Sequence, residues 1–399
     1  LRLVVIGDVG VLDGMVHIGD EAMFEALVLE LRSRGFDAIT GISANPAETA
    51  ARYGIDAVAG IGFGGAIAQD RAAQSERMTR VLRAAAGDPG PLDPGDSAHA
   101  VIDSIRSADG VAISGGGNMA SNWPMHIVER ATIGAIAALF DVPLVVSGQT
   151  IGPPLTETDA ALVATLLGSA TLVGLREGAS FELVRSLGVD PGLLAATVDD
   201  ASFLPAITSS SDRPYCVVSL SSHVGDVDRS RFYDSVAALL DDIAATTGLE
   251  IVFFAHFASL DPSAVRGDSV VHAAVGERMT SPFRVIRTTD SRHAAGIAKN
   301  AALVVSSRYH PAVFAVSAGV PSIGITVDDY TTVKLTGALG NFGQHSVISA
   351  AEVIAGNGRA LVAEVWSGRD ALRGRGLEAA TRARAASVAW WDRVAAALR

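Results

Sequence analysis

Short apolar runs alternate along this chain with longer stretches in which apolar residues recur every three or four positions. Unbroken runs of Val, Ile and Leu are what a strand covered on both faces requires, and the helical stretches between them supply the covers. The pattern predicts an α/β fold. Leu1-Arg2-Leu3-Val4-Val5-Ile6 reads as a first strand, followed by a βα loop over residues 7–20 and a helix over 19–34 with Met23, Leu27 and Leu31 on one stripe. Further strands are predicted at 38–42, 57–61, 110–114, 142–147 and 171–175, with helices at 46–53, 66–86, 125–140, 156–168 and 179–187. Residues 206–214, Ala-Ile-Thr-Ser-Ser-Ser-Asp-Arg-Pro, read as a linker, after which a second cycle begins. Its strands are expected at 215–221, 250–255, 283–287, 302–306 and 322–326, with a charged loop after 255. Its helices are expected at 229–247, 290–300 and 311–318. The organisation is therefore two stacked α/β units, 1–205 and 206–375, with a cleft between their sheet edges. A tail helix within 376–399, bearing Trp390 and Trp391, is expected to pack back on the first unit.

Composition narrows the function. The chain has 399 residues, 49% of them hydrophobic, which is enough to build two cores and excludes a wholly disordered protein. Its formal charge is −12, so no global positive field exists to draw in nucleic acid or an anionic membrane, although a local anion pocket remains allowed. Cys216 is the single cysteine, which excludes an intrachain disulfide framework and fits the cytoplasm. No apolar stretch is long enough to span a bilayer uninterrupted; the longest, 127–147, contains Glu129, Arg130 and Asp141. No His-Glu-x-x-His, EF-hand or Walker sequence occurs, so no metal site is expected.

The chemistry should lie in loops that follow strands, where open α/β sheets place ligands. Gly60-Ile61-Gly62-Phe63-Gly64-Gly65 satisfies a dinucleotide-binding pattern, but a poor strand precedes it and no ribose-binding acid is well placed, so a flexible turn is the expectation. Gly115, Gly116 and Gly117, followed by Asn118, come after a good strand and before a helix, where backbone N–H groups can turn toward an anion. Gln149 and Thr150, in Ser147-Gly148-Gln149-Thr150-Ile151-Gly152, suit a polyhydroxyl ligand. In the second unit Ser306-Ser307-Arg308-Tyr309-His310 ends a strand before a helix, pairing a planar cation with an imidazole. Ser221-Ser222-His223 occupies the corresponding exit of that unit's first strand. Asp20 and Glu21 open the first helix, either as caps that complement its dipole or as a base for a hydroxyl. Asp199 and Asp200 are expected either to cap a turn or to line the cleft between the two units.

Taken together, Gly19-Asp20-Glu21-Ala22, Gly115-Gly116-Gly117-Asn118, Gly148-Gln149-Thr150-Ile151-Gly152-Pro153, Gly174-Leu175-Arg176-Glu177-Gly178-Ala179-Ser180, Asp200-Ala201-Ser202-Phe203-Leu204 and Ser307-Arg308-Tyr309-His310 resemble the polysaccharide pyruvyl transferase family over about residues 5–340. The resemblance implies two Rossmann-like domains in a GT-B-like arrangement, with the acceptor on the first and phosphoenolpyruvate on the second. It implies transfer of a pyruvyl group from phosphoenolpyruvate to a saccharide, glycolipid or polysaccharide repeat, with phosphate released and no cofactor required. Arg308 and His310 match the family's donor-binding Arg-x-His pair, His310 contacting phosphate or donating a proton. Ser222, His223 and Arg176 are expected beside the donor; Asn118, Gln149, Thr150 and His17 on the acceptor; and Asp20 or Glu21 as base. Relatives often carry a basic residue after the strand opening the second domain, where this chain has Ser221-Ser222-His223, and the first loop is extended by residues 10–18. The cytoplasm is expected, or the inner membrane face through a lipid-linked acceptor, and homo-oligomerisation is left open. The competing readings are a nucleotide-sugar glycosyltransferase of the same architecture and a non-enzymatic saccharide-binding protein.

Overall fold

In the computed structural model residues 1–207 and 213–399 are described. Most of the linker expected at 206–214 lies outside them. The strands of the first part of the chain are β1 (Arg2–Ile6), β2 (Met15–His17), β3 (Ala38–Ser43), β4 (Asp56–Ala59), β5 (Gly110–Ile113), β6 (Gly116–Met119), β7 (Leu144–Ile151), β8 (Leu172–Leu175) and β9 (Leu194–Ala196). Those of the second are β10 (Tyr215–Ser219), β11 (Glu250–Phe254), β12 (Phe257–Ser259), β13 (Phe283–Ile286), β14 (Leu303–Ser306), β15 (Ser322–Thr326) and β16 (Val347–Ser349). The chain divides into two compact units: Leu1–Leu12, Met23–Asp200 and Ala386–Arg399 form the first, Asp13–Ala22 and Ala201–Ala385 the second.

The first unit holds a parallel sheet in the order β4-β3-β1-β5-β7-β8-β9, with β6 paired to β7. The chain leaves β1 toward one edge through β3 and β4, then returns to β5 on the other side, so the strand order reverses between β1 and β5. Reversal of this kind opens a crevice at the carboxyl ends of the two strands. One face of the sheet packs through Ile6, Ile113, Val146 and Ile133. The other packs through Leu3, Val5, Phe24 and Leu27 together with Trp390, Trp391 and Val394 of the tail helix. Trp390 donates its indole N–H to Ser147 Oγ at 3.1 Å, and a side chain at Gly174 would stand 2.8 Å from its ring.

The second unit repeats the device. Its parallel sheet runs β13-β11-β10-β14-β15-β16, reversing between β10 and β14. The same unit contains an antiparallel pair, β2 with β12, in which His17 faces Phe257. Neither strand of that pair was expected, each being only three residues long. The segment after β11, expected as a charged loop, contains β12 and a helix, Asp268–Gly276. No described helix is long and apolar enough to cross a membrane.

Candidate functional site

In the second unit the chemistry gathers at the reversal point. Ser219 and Ser306 are register partners at the ends of β10 and β14, both fully buried. Ser306 Oγ donates to the Ser219 carbonyl at 2.9 Å and accepts the Arg308 N–H at 3.0 Å, while Ser307 Oγ accepts the Ser221 N–H at 2.8 Å. These serines fix the two strand exits against each other and hand the chain to the helix Tyr309–Val316 with Arg308 at its N-cap. Arg308 is then held from behind: Nε and one Nη donate to the carboxylate of Asp268 at 2.9 and 2.5 Å, with Asp268 wholly buried and the arginine side chain 21% exposed. Asp268 also accepts the N–H groups of Phe257 and His256 at 2.9 and 3.3 Å. The fork of a planar cation is thereby oriented before any ligand arrives.

His310 is buried at the same helix start, its ring 6.0 Å from that of Phe314. Gly19 lies against it so closely that an added Cβ would stand 2.8 Å from His310 Cγ. Two further histidines underlie this region. His256 sits with Nδ1 3.1 Å from Ser219 Oγ, and its own carbonyl accepts the Ile18 N–H at 2.9 Å. Burial, reinforced by the charges of His310 and Arg308, holds His256 well below the usual imidazole range. His272 Nε2 accepts the Leu220 N–H at 2.9 Å, and burial pushes it down to about 4. Both are neutral near pH 7 and leave Arg308 as a principal cation beside them.

The remaining expected residues of this unit differ in exposure. His223 Nε2 meets Asp328 at 2.7 Å, with side chains 60% and 33% exposed, and Ser222 is exposed beside it. His17 Nδ1 meets Asp20 at 3.1 Å and stacks 5.0 Å from the Phe257 ring. Glu21 is buried.

The first unit departs from expectation in several places. The Gly115–Gly117 segment is not a loop that opens a helix: Gly116 and Met119 pair with Gln149 and Ile151 as a short strand, and the next helix starts only at Pro124. The place where an anion was expected at these glycines is taken by the Asp200 side chain, since the Gly115 N–H donates to Asp200 Oδ2 at 3.2 Å and Ser147 Oγ donates to Oδ1 at 2.9 Å. Burial and the neighbouring Asp199 charge push the Asp200 carboxyl up to about 7. Gln149 and Thr150, expected on a ligand, lie within β7, which runs on to Ile151, and are buried: Gln149 donates to the Ser114 carbonyl at 2.5 Å and Thr150 to Glu177 at 2.6 Å. Arg176, expected beside the donor, is buried in the first unit and donates to Asp199 at 2.5 Å and to Thr150 at 2.8 Å. These three side chains brace the sheet rather than present groups outward. The Gly60–Gly65 segment follows the edge strand β4, and Arg77 donates to the Ile61 carbonyl, as a turn would have it.

Asn118 points to residues that the sequence did not single out. Its Nδ2 donates to Asp8 at 2.5 Å, and Asp8 is the second residue past β1, on the reversal crevice. Gly7 makes the exit possible, because a Cβ there would stand 2.9 Å from Phe24. Facing Asp8 from the helix Pro124–Leu139 are His126, Nδ1 at 3.0 Å, and Arg130, Nη2 at 2.7 Å; Arg130 Nη1 also reaches Glu129 at 2.7 Å. Burial alone would raise the Asp8 carboxyl, but Arg130 and His126 outweigh it and hold it well below the carboxylate range. Burial and the Asp8 charge push Glu129 up, against Arg130. Asp8, His126 and Glu129 stand close enough to share a metal ion, yet the Arg130 guanidinium already bridges both carboxylates as the cation of the cluster.

With this geometry in place, likeness to known proteins becomes informative. The chain matches the family described as polysaccharide pyruvyl transferase over residues 17–329. No curated protein matches it in sequence. Among solved structures it is similar to a putative UDP-N-acetylglucosamine 2-epimerase from Listeria monocytogenes, at 12% identity and a TM-score of 0.58, covering 94% of this chain and 90% of that one. It is similar to the calicheamicin glycosyltransferase CalG4, at 17% identity and 0.54, covering 100% and 98%. It is also similar to Arabidopsis thaliana UGT89C1 complexed with quercetin, at 10% identity and 0.58, covering 100% and 99%. At such identities the likeness establishes the α/β fold with parallel sheets shared by GT-B glycosyltransferases and these epimerases, and nothing about substrate.

Proposed function

The chain belongs to the polysaccharide pyruvyl transferase family, and from that premise we propose that it moves a pyruvyl group from phosphoenolpyruvate onto two hydroxyls of a saccharide, forming a cyclic ketal and releasing phosphate. The observation that carries this reading is the pre-oriented Arg308 fork beside His310 at the reversal point of the second unit's sheet. Phosphoenolpyruvate brings about three negative charges to a protein of net charge −12, so it requires a local cation whose geometry is fixed in advance. Asp268 fixes that geometry for Arg308, and the exposed part of the guanidinium is available to the donor's carboxylate or phosphate.

The bonds balance without a cofactor. One acceptor hydroxyl adds through oxygen to C2 of the donor while the methylene carbon takes a proton, supplied in this reading by His310. The C2–O bond to phosphate then breaks, the bridging oxygen leaving with phosphorus. A second hydroxyl closes the ring at C2, and both hydroxyl protons pass to protein or water. Ser222 and His223, at the adjoining strand exit, extend the donor side.

The test is a comparison of donors. Phosphoenolpyruvate and UDP- or GDP-sugars are supplied separately with a panel of glycans. Acceptor-dependent release of phosphate from phosphoenolpyruvate alone supports the reading; release of nucleoside diphosphate instead replaces it with sugar transfer.

A further inference from the structure

Pyruvyl transfer needs a base for the attacking hydroxyl, and the two carboxylates expected in that role are otherwise disposed: Glu21 is buried, and Asp20 stands 3.1 Å from His17 Nδ1. We propose that His17, held by Asp20, takes the proton of the attacking saccharide hydroxyl. The proposal rests on the pyruvyl-transfer reading, and it puts the base in the same unit as the donor cation.

Position comes first. The extension of the first loop delivers β2 to the second unit, where it pairs antiparallel with β12 and His17 is the register partner of Phe257. Residues directly opposite in such a ladder project from one face, and the two rings stack with centroids 5.0 Å apart. The Ile18 N–H donates to the His256 carbonyl at 2.9 Å and the Leu260 N–H to the Gly14 carbonyl at 2.8 Å, so the ribbon is pinned at both ends. Phe257 gives its own N–H to Asp268 at 2.9 Å, the same carboxylate that forks Arg308. The guanidinium carbon of Arg308 lies 5.9 Å from the centre of the Phe257 ring. Imidazole and guanidinium are thus set in one frame at most about 11 Å apart, a span filled by a donor anion, its reacting carbon and an attacking oxygen about 3 Å beyond.

Orientation comes from Asp20, in the first turn of the helix Ile18–Ser33. A carboxylate only accepts, so its contact on Nδ1 puts the ring hydrogen there and leaves the lone pair on Nε2, the arrangement a base requires. The His17 side chain is 45% exposed against 18% for Asp20, which makes the imidazole the more open of the two to a substrate. As the bond from the hydroxyl oxygen to C2 forms, Nε2 takes the proton and Asp20 stabilises the resulting imidazolium. The proton then passes to water or to the departing phosphate, and the ring returns to its starting form.

The test measures kcat and acceptor KM in the wild type, His17→Ala, His17→Gln, Asp20→Asn and the double variant His17→Ala/Asp20→Asn, with phosphoenolpyruvate binding followed separately by calorimetry. Both substitutions of His17 are expected to lower kcat by about 10²-fold or more and to leave donor binding within twofold, which also shows that the variants are folded. Added imidazole is expected to restore part of the His17→Ala rate, whereas pyrazole, a ring of the same shape and much weaker basicity, is not. Asp20→Asn is expected to lower kcat in the wild type and to change it less than twofold once His17 is gone, because it acts through that ring. Wild-type kcat in either His17 variant, or recovery with pyrazole equal to that with imidazole, overturns the assignment alone. An equal loss from Asp20→Asn with and without His17 overturns it too, by making the carboxylate itself the base. A wild type that turns over no phosphoenolpyruvate with any glycan overturns the transfer reading together with it.

Discussion

Gly19→Ala separates the role of His310 from the stability of the fold. Gly19 is the second residue of the helix Ile18–Ser33 and does not have the positive φ that would bar a side chain. On helix propensity alone alanine is favoured there by up to about 1 kcal/mol. The added methyl, however, would stand 2.8 Å from His310 Cγ and nearer still to Nδ1 and Cε1, where carbon contacts settle at roughly 3.5–4.0 Å. The ring must therefore recede by about 1 Å or more, and displacement on that scale of a group acting on substrate costs about 10²-fold in turnover. The expected result is a variant that melts within a few degrees of the wild type, binds phosphoenolpyruvate, and turns over about a hundredfold more slowly. In a His310→Ala background the same change is expected to do nothing further to kcat, since the ring it displaces is gone. Full turnover in Gly19→Ala, or an equal loss with and without the imidazole, would refute the reasoning.

Three further outcomes follow from particular contacts. Arg308→Lys keeps the charge but cannot reproduce the fork on Asp268; loss of one charge-assisted hydrogen bond, about 1.5–3 kcal/mol, should raise the phosphoenolpyruvate Kd about ten- to a hundredfold by calorimetry, and unchanged affinity would remove the fork from donor recognition. Asp200, pushed up to about 7 by burial and Asp199 from an ordinary value of 3.8, is protonated in the native state where the unfolded chain has already ionised. Its contribution to stability is therefore complete below about pH 4 and is lost as pH rises to about 7. Asp200→Asn should flatten the melting temperature over that window, and an unchanged slope would contradict the assignment. Trp391→Ala, emptying a buried site in the core that the tail helix shares with Phe24 and Leu27, should cost about 3–5 kcal/mol in denaturant unfolding; a loss under about 1 kcal/mol would mean the tail is not part of that core.

The repeating strands and helices were legible because burial on both faces imprints itself on composition: 322–326, 229–247 and 46–53 appear in the structure with the predicted bounds. What escaped had no such imprint. Glycines 115–117 carry no hydrophobic signature, so their pairing with β7, fixed by Gln149, looked like a loop. Asp268 heads a nine-residue helix too short to stand out amid charged neighbours, and only the folded chain shows its carboxylate under Arg308. Gln149, Thr150 and Arg176 were legible as polar residues near strand ends, but sequence does not say which side of such an end is buried. Asp8 and His126 are separated by 117 intervening residues, and the one local signal was the placing of His126, Glu129 and Arg130 on one helical face after a strand. Arg308 and His310 were legible because they end a buried strand and open a helix, which is where the structure has them.

The central claim is that the bond broken in the donor is the one between carbon and the bridging oxygen. Phosphoenolpyruvate carrying heavy oxygen at that bridge, incubated with the protein and an accepted glycan, tests it in one mass spectrum. The account predicts a glycan heavier by pyruvate less water with no heavy oxygen, and labelled phosphate in equal amount. A glycan that gains a phosphoryl group, or heavy oxygen released in free pyruvate, would contradict it.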